Sequence, residues 1–186
     1  MSEWLTVIPT VDHPLVWSEL RAAVLRRSGD DVVQLWGQEL RMTRYHKREL
    51  PLQDDEKLEL DGLFIFGEEG PSLMPLDQSG RSWEETRFSL QRFMEFIPEE
   101  EQWTAGALDE LNEKWRRVGY NFHVSIGFPD KLTVDRLRAV ACAVADLVDG
   151  KVAMHPDECA RGFNSIYSSD ELARLKLHHQ VPFRNS

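Results

Sequence analysis

Apolar and polar residues alternate most regularly over Tyr120 to Phe128, where Phe122, Val124, Ile126 and Phe128 interleave with Asn121, His123, Ser125 and Gly127. A period of two sends successive side chains to opposite faces, so this segment predicts a strand with one core face and one polar face. Trp4 to Ile8 reads as a first short strand. After it, Pro14 precedes Trp17, Leu20 and Val24 at helical spacing until Gly29 ends the helix. Val32 to Trp36, Leu40 to Tyr45 and Lys57 to Phe66 then read as strands of an antiparallel meander, with Leu63 to Phe66 apolar throughout. Gly67 to Gly80, carrying Pro71 and Pro75, reads as a long loop, a kind of segment that often carries function.

The second half is mainly helical. Ser82-Trp83-Glu84-Glu85 has the form of a capping box, and Thr86, Leu90, Phe93, Met94 and Ile97 follow on one stripe until Pro98. Leu108, Leu111, Trp115 and Val118 predict a helix over Ala105 to Val118 that Gly119 stops. Thr133 is placed to cap a helix from Val134 to Val148, closed by Gly150, with Lys151 to Met154 as a short strand. Ser168-Ser169-Asp170-Glu171 repeats the capping box before a helix ending near His178, and 180–186 reads as a frayed tail. This order is not a regular alternation of strand and helix. It predicts an α+β fold, a mainly antiparallel sheet packed with several helices, in one domain spanning 1–186.

Composition supports a folded core. With 186 residues, 41% of them hydrophobic, the chain is long enough to bury a core without disulfide or metal help. Its two cysteines, Cys142 in an apolar helix and Cys159, are too few for a disulfide framework and fit a reducing compartment. Met1-Ser2-Glu3-Trp4 lacks the basic start of a secretory leader, and Leu137 to Val148 is shorter than the roughly 20 apolar residues of a membrane span. The expectation is a cytoplasmic protein.

Charge narrows the function. Acids number 32 against 22 Lys plus Arg, a net charge of −10, which disfavours nucleic acid and anionic membranes as partners and favours a cationic one. Two segments concentrate the excess. Asp54, Asp55, Glu56, Glu59, Asp61, Glu68 and Glu69 face only Lys57, and Glu95, Glu99, Glu100, Glu101, Asp109, Glu110 and Glu113 run without a base. Trp83 precedes the second run and Trp103 lies within it, and aromatic anchors are enriched at interfaces. The candidate partner-binding residues are therefore Asp54, Asp55, Glu56, Glu59, Asp61, Glu68, Glu69, Glu99, Glu100, Glu101 and Trp103.

Catalytic chemistry has thinner support. His123-Val124-Ser125 puts an imidazole and a hydroxyl on one strand face and resembles half of the paired motif of 2H phosphoesterases, in which two such strands supply an acid and a base. No other histidine here has Ser or Thr two positions on. His155, Cys159, His178 and His179 lack a metal-ligand spacing, no glycine-rich phosphate loop is present, and no cofactor or catalytic residue is expected.

The run Phe122 to Phe128, the helical segment Leu132 to Leu147 and Gly150-Lys151-Val152 together resemble the C-terminal part of immunity proteins of interbacterial toxin systems. That resemblance implies a non-enzymatic antidote that binds a cognate toxin with a basic active-site cleft and blocks it by occlusion. A phosphoesterase-like enzyme using His123 and Ser125, or a homodimeric interaction domain, are the alternatives.

Overall fold

The computed structural model describes residues 2–31, 35–36, 40–45, 50–67, 70–94, 102–127, 131–154 and 166–175. The strands are β1 (Ser2–Ile8), β2 (Met42–Arg44), β3 (Leu50–Pro51), β4 (Phe64–Phe66), β5 (Ser72–Asp77), β6 (Tyr120–Gly127), β7 (Lys151–Met154) and β8 (Ile166–Tyr167). The helices are α1 (Trp17–Ser28), α2 (Trp83–Arg92), α3 (Ala105–Val118), α4 (Lys131–Leu147) and α5 (Ser169–Arg174). Among the described residues, eight strands join one sheet in the order β3-β2-β4-β5-β6-β1-β7-β8, with each pairing antiparallel. The fold is α+β, as the order of elements predicts.

The alternation in β6 decides the layers. Phe122, Val124 and Ile126 share a buried cluster with Leu5 and Val7 of β1, Val152 and Met154 of β7, and the inner stripes of α1 and α4. The opposite face of the sheet meets α2 and α3 through a smaller cluster of Ile8, Leu90, Met94, Leu108, Leu111, Trp115, Ala153 and Ile166. Local signals set the helix ends. Ser82 Oγ accepts from the Glu85 amide at 3.2 Å while Glu85 accepts from the Ser82 amide at 2.6 Å, and Ser168 and Glu171 do the same for α5. Gly119 closes α3 at φ 79°, a left-handed conformation that costs glycine little.

Several boundaries differ from expectation. The segment expected as a loop from Gly67 to Gly80 holds β5, an interior strand between β4 and β6. Pro75 hides it, because proline has no amide hydrogen for a ladder. Its carbonyl accepts from the Asp61 amide at 2.7 Å on the β4 side, beyond the last regular β4 pair, Phe64 with Leu73. The missing donor therefore falls where the neighbouring strand has already stopped. The strand expected over Lys57 to Phe66 keeps only Phe64–Phe66, since Asp61 turns the chain at φ 59° and Lys57 makes just an isolated bridge to Val16. Leu35 and Trp36 are helical rather than extended, and 32–34 lie outside the described residues.

Helix α2 stops at Arg92 with a turn through Phe93 and Met94, short of Ile97. Helix α4 starts at Lys131, which places Thr133 in its first turn rather than at its cap. Strand β8 has no counterpart in the sequence pattern, being only two residues long. The expected tail, 180–186, lies outside the described residues.

Candidate functional site

Where β6 turns its polar side toward α2 and α3, the helices leave part of the sheet uncovered. A cleft of about 230 Å³ opens there, lined by Thr6, Arg81, Ser89, Arg92, Phe93, Trp115, Asn121 and His123. Strand register supplies the floor. His123 pairs with Thr6 of β1 on one side and Met74 of β5 on the other, so these three side chains form a row across the sheet. Trp115, 2% exposed, is fixed at one wall by its indole N–H donating to the Tyr120 carbonyl at 3.1 Å.

The polar groups of the cleft are held to different degrees. Arg81 donates to Gln78 Oε1 at 3.0 Å and Ser89 Oγ at 3.1 Å, which braces its guanidinium against the start of α2. Arg92, at the end of α2, forms no ion pair among the described residues. Burial pushes the His123 imidazole below its ordinary pKa, so it is neutral at pH 7. Asn121 is 8% exposed, and its Oδ1 is buried with no hydrogen-bond partner. An unsatisfied buried carbonyl of this kind costs about 1–3 kcal/mol.

Ser125 does not join the cleft. Its hydroxyl meets Ser72 Oγ at 2.7 Å on β5, which draws it to the neighbouring strand. The strand positions facing His123 are Thr6 and Met74, neither of which can act as the second acid or base of a paired-histidine mechanism. The structure thus places His123 and Ser125 on one face of β6, with Val124 on the other, but separates the roles of these two polar residues. Cys142 is buried in α4, where burial raises its pKa to about 12 and its thiol donates to the Ser169 carbonyl, as suits an inert thiol.

The candidate acids divide between two layers. Asp54 to Asp61 run beside the start of α1. Val16, the residue before that helix, provides no side-chain cap, and the acidic segment takes over the task. The Asp54 carbonyl accepts from the Ser18 amide and the Glu56 carbonyl from the Trp17 amide, each at 3.0 Å, which satisfies two free donors of the first turn. Asp54 pairs with Arg21 at 3.0 Å, and Arg44 reaches Glu56 at 2.8 Å and Glu59 at 3.9 Å. Asp61 accepts from the Asp77 amide at 3.4 Å, while exposed Asp55 has no ion pair among the described residues.

The described acids of the second run, Asp109, Glu110 and Glu113, sit on α3 in the other layer and pair with Arg87, Lys114 and Arg117. Trp103 is half-buried against the cluster of Leu90, Met94 and Leu108, with its amide directed at Met94 Sδ. Glu68, Glu69, Glu99, Glu100 and Glu101 lie outside the described residues, as do His155, Cys159, His178 and His179. Among the described residues no group of three or more His, Cys, Asp or Glu could hold a metal, and no helix is long and apolar enough to cross a membrane.

Apolar exposure adds to the first acidic segment. Leu60 is 50% exposed at its turn, and Tyr45, 57% exposed, is tied to the end of the same segment by its amide donating to the Leu63 carbonyl at 2.7 Å. The patterning of charge marked this corner. Nothing in the sequence marked the cleft as a whole, because Thr6, Arg81, Arg92 and Asn121 come from separate parts of the chain.

No protein-family model, no curated protein sequence and no solved structure matches this chain.

Proposed function

We propose that the chain is a non-catalytic binding protein of the immunity type, which neutralises a protein toxin by covering that toxin's basic active-site cleft. The contact surface is the corner formed by Asp54, Asp55, Glu56, Glu59 and Asp61 together with Tyr45 and Leu60. The observation that carries this reading is the juxtaposition of two exposed apolar side chains with a row of carboxylates on one fixed segment. Carboxylates steer a basic partner and apolar anchors then hold it, a division of labour found at tight interfaces. Because the acidic segment also caps α1 through its backbone, its side chains are presented on a rigid support. Such an antidote acts in the cytoplasm, where it meets the toxin before the toxin reaches its substrate.

The test is growth protection. A neighbouring open reading frame that is toxic when expressed alone should become harmless when this chain is co-expressed. The triple variant Asp55→Lys, Glu59→Lys, Leu60→Ser alters exposed side chains only. It should weaken toxin binding by about a hundredfold or more, and the wild-type affinity should fall as salt is raised. Equal protection by wild type and variant would remove the corner from the interface. A toxin inhibited only when this chain turns over a small substrate would remove the binding reading altogether.

A further inference from the structure

We propose that the cleft between β6 and α2 is a binding site for a small organic phosphate, one that also carries a hydroxyl or amine donor. This site is separate from the acidic corner and does not depend on it. Three observations converge. In a chain of net charge −10, the cleft gathers Arg81 and Arg92 with no carboxylate among its described lining residues. Arg81 is already oriented by Gln78 and Ser89, while Arg92 has no ion-pair partner among the described residues, so one guanidinium is braced and the other is available. Asn121 lines the same cleft, more than nine-tenths buried, with Oδ1 unpartnered and its neighbour across the sheet, Leu76, apolar.

Each group asks for a different part of one ligand. Two arginines suit the fork-like recognition of phosphate oxygens. A buried carboxamide oxygen needs a donor, which bare phosphate at pH 7 offers poorly and an attached hydroxyl or amine offers well. Thr6 and Ser89 add hydroxyls beside these groups, and Phe93 and Trp115 give an apolar wall for a short carbon skeleton. A cleft of about 230 Å³ accommodates a few carbons and a phosphoryl group rather than a polymer. His123 lies on the sheet floor of the same cleft, so its ring reports on what enters there.

Calorimetric titration of the intact chain with inorganic phosphate, glycerol 3-phosphate, glycerate and glycerol tests this directly. Glycerol 3-phosphate should bind at least tenfold tighter than inorganic phosphate, glycerate should bind at least tenfold more weakly than its phosphate counterpart, and glycerol should not bind. Arg92→Gln should weaken both phosphates tenfold or more. Asn121→Leu should abolish the advantage of glycerol 3-phosphate over inorganic phosphate. If either variant fails to fold, the His123 ring resonances of the wild-type chain should still shift on titration with glycerol 3-phosphate and stay still with glycerol.

No saturable binding of either phosphate would overturn the site. Glycerate binding as tight as glycerol 3-phosphate would overturn the phosphate assignment, and unchanged binding by folded Arg92→Gln would overturn the location. The triple variant of the acidic corner should bind glycerol 3-phosphate as wild type does, so failure of one proposal leaves the other standing.

Discussion

The two faces of the sheet are built to different standards of closure. On the α1 and α4 face, Trp17, Phe64, Phe66, Leu73, Val124 and Val144 are almost wholly out of water, and Trp17 meets Phe66 edge-on at 5.9 Å. The polar groups at its margin are paired too: Arg27 bridges Asp146 at 2.5 and 2.6 Å and Asp170 at 2.9 Å, tying α1, α4 and α5 together. The α2 and α3 face has a smaller apolar cluster, and beside it His123, Asn121 and Thr6 line an open cleft. A face that carries most of the packing leaves the other free to hold polar groups beside an open cleft. The contrast teaches where to look for stability and where for ligand chemistry.

Three measurements break or sharpen this contrast. The largest effect is expected from Trp17→Ala, which empties a position only 2% exposed and should cost about 3–5 kcal/mol in denaturant unfolding. A loss below about 1 kcal/mol would mean that the α1 face is not the stability-bearing side. Next, Arg27→Ala removes a guanidinium whose side chain is 23% exposed and which joins three elements. It strands Asp146, whose pKa is raised by its partial burial and lowered by its hydrogen bonds to Arg27 and Ser169, with a net lowering. A loss of about 1–3 kcal/mol at pH 7 is expected, shrinking under acid conditions that protonate Asp146.

The smallest effect belongs to the cleft. Burial lowers the His123 pKa in the folded chain, so below the unfolded value of about 6.5 the unfolded chain takes up the proton more readily. Stability should therefore decline as pH falls from about 6.5 through the folded pKa, and be unaffected by this group above that window. His123→Gln should flatten this part of the profile. An unchanged slope between pH 6.5 and 5 in that variant would show that the imidazole is as well solvated as a free one.

Legibility followed the range of the interactions. Helix α3 agrees with its apolar spacing end to end, and both capping boxes form as written, because each depends on residues three or four apart. Strand β6 was legible for a similar reason, its alternation being a local record of two different environments. Strand β5 was not, since Pro75 reads as a breaker unless one knows that β4 ends beside it. The acidic segment was legible as charge but not as the cap of α1, a role performed by backbone carbonyls that carry no side-chain signature. Of the cleft, only His123 stood out.

Taken alone, the amino-acid order determined that this chain forms an antiparallel α+β fold, that β6 presents one apolar and one polar face, and that negative charge is concentrated in particular segments. Those properties arise from periodicity and composition, which act over a few residues. Only the tertiary structure decided which strands adjoin β6, that His123 faces Thr6 and Met74 rather than a second histidine, and that Arg81, Arg92 and Asn121 meet across one cleft. Such meetings are set by sheet register and by where α2 and α3 come to rest, and both are outcomes of long-range packing that no local pattern encodes.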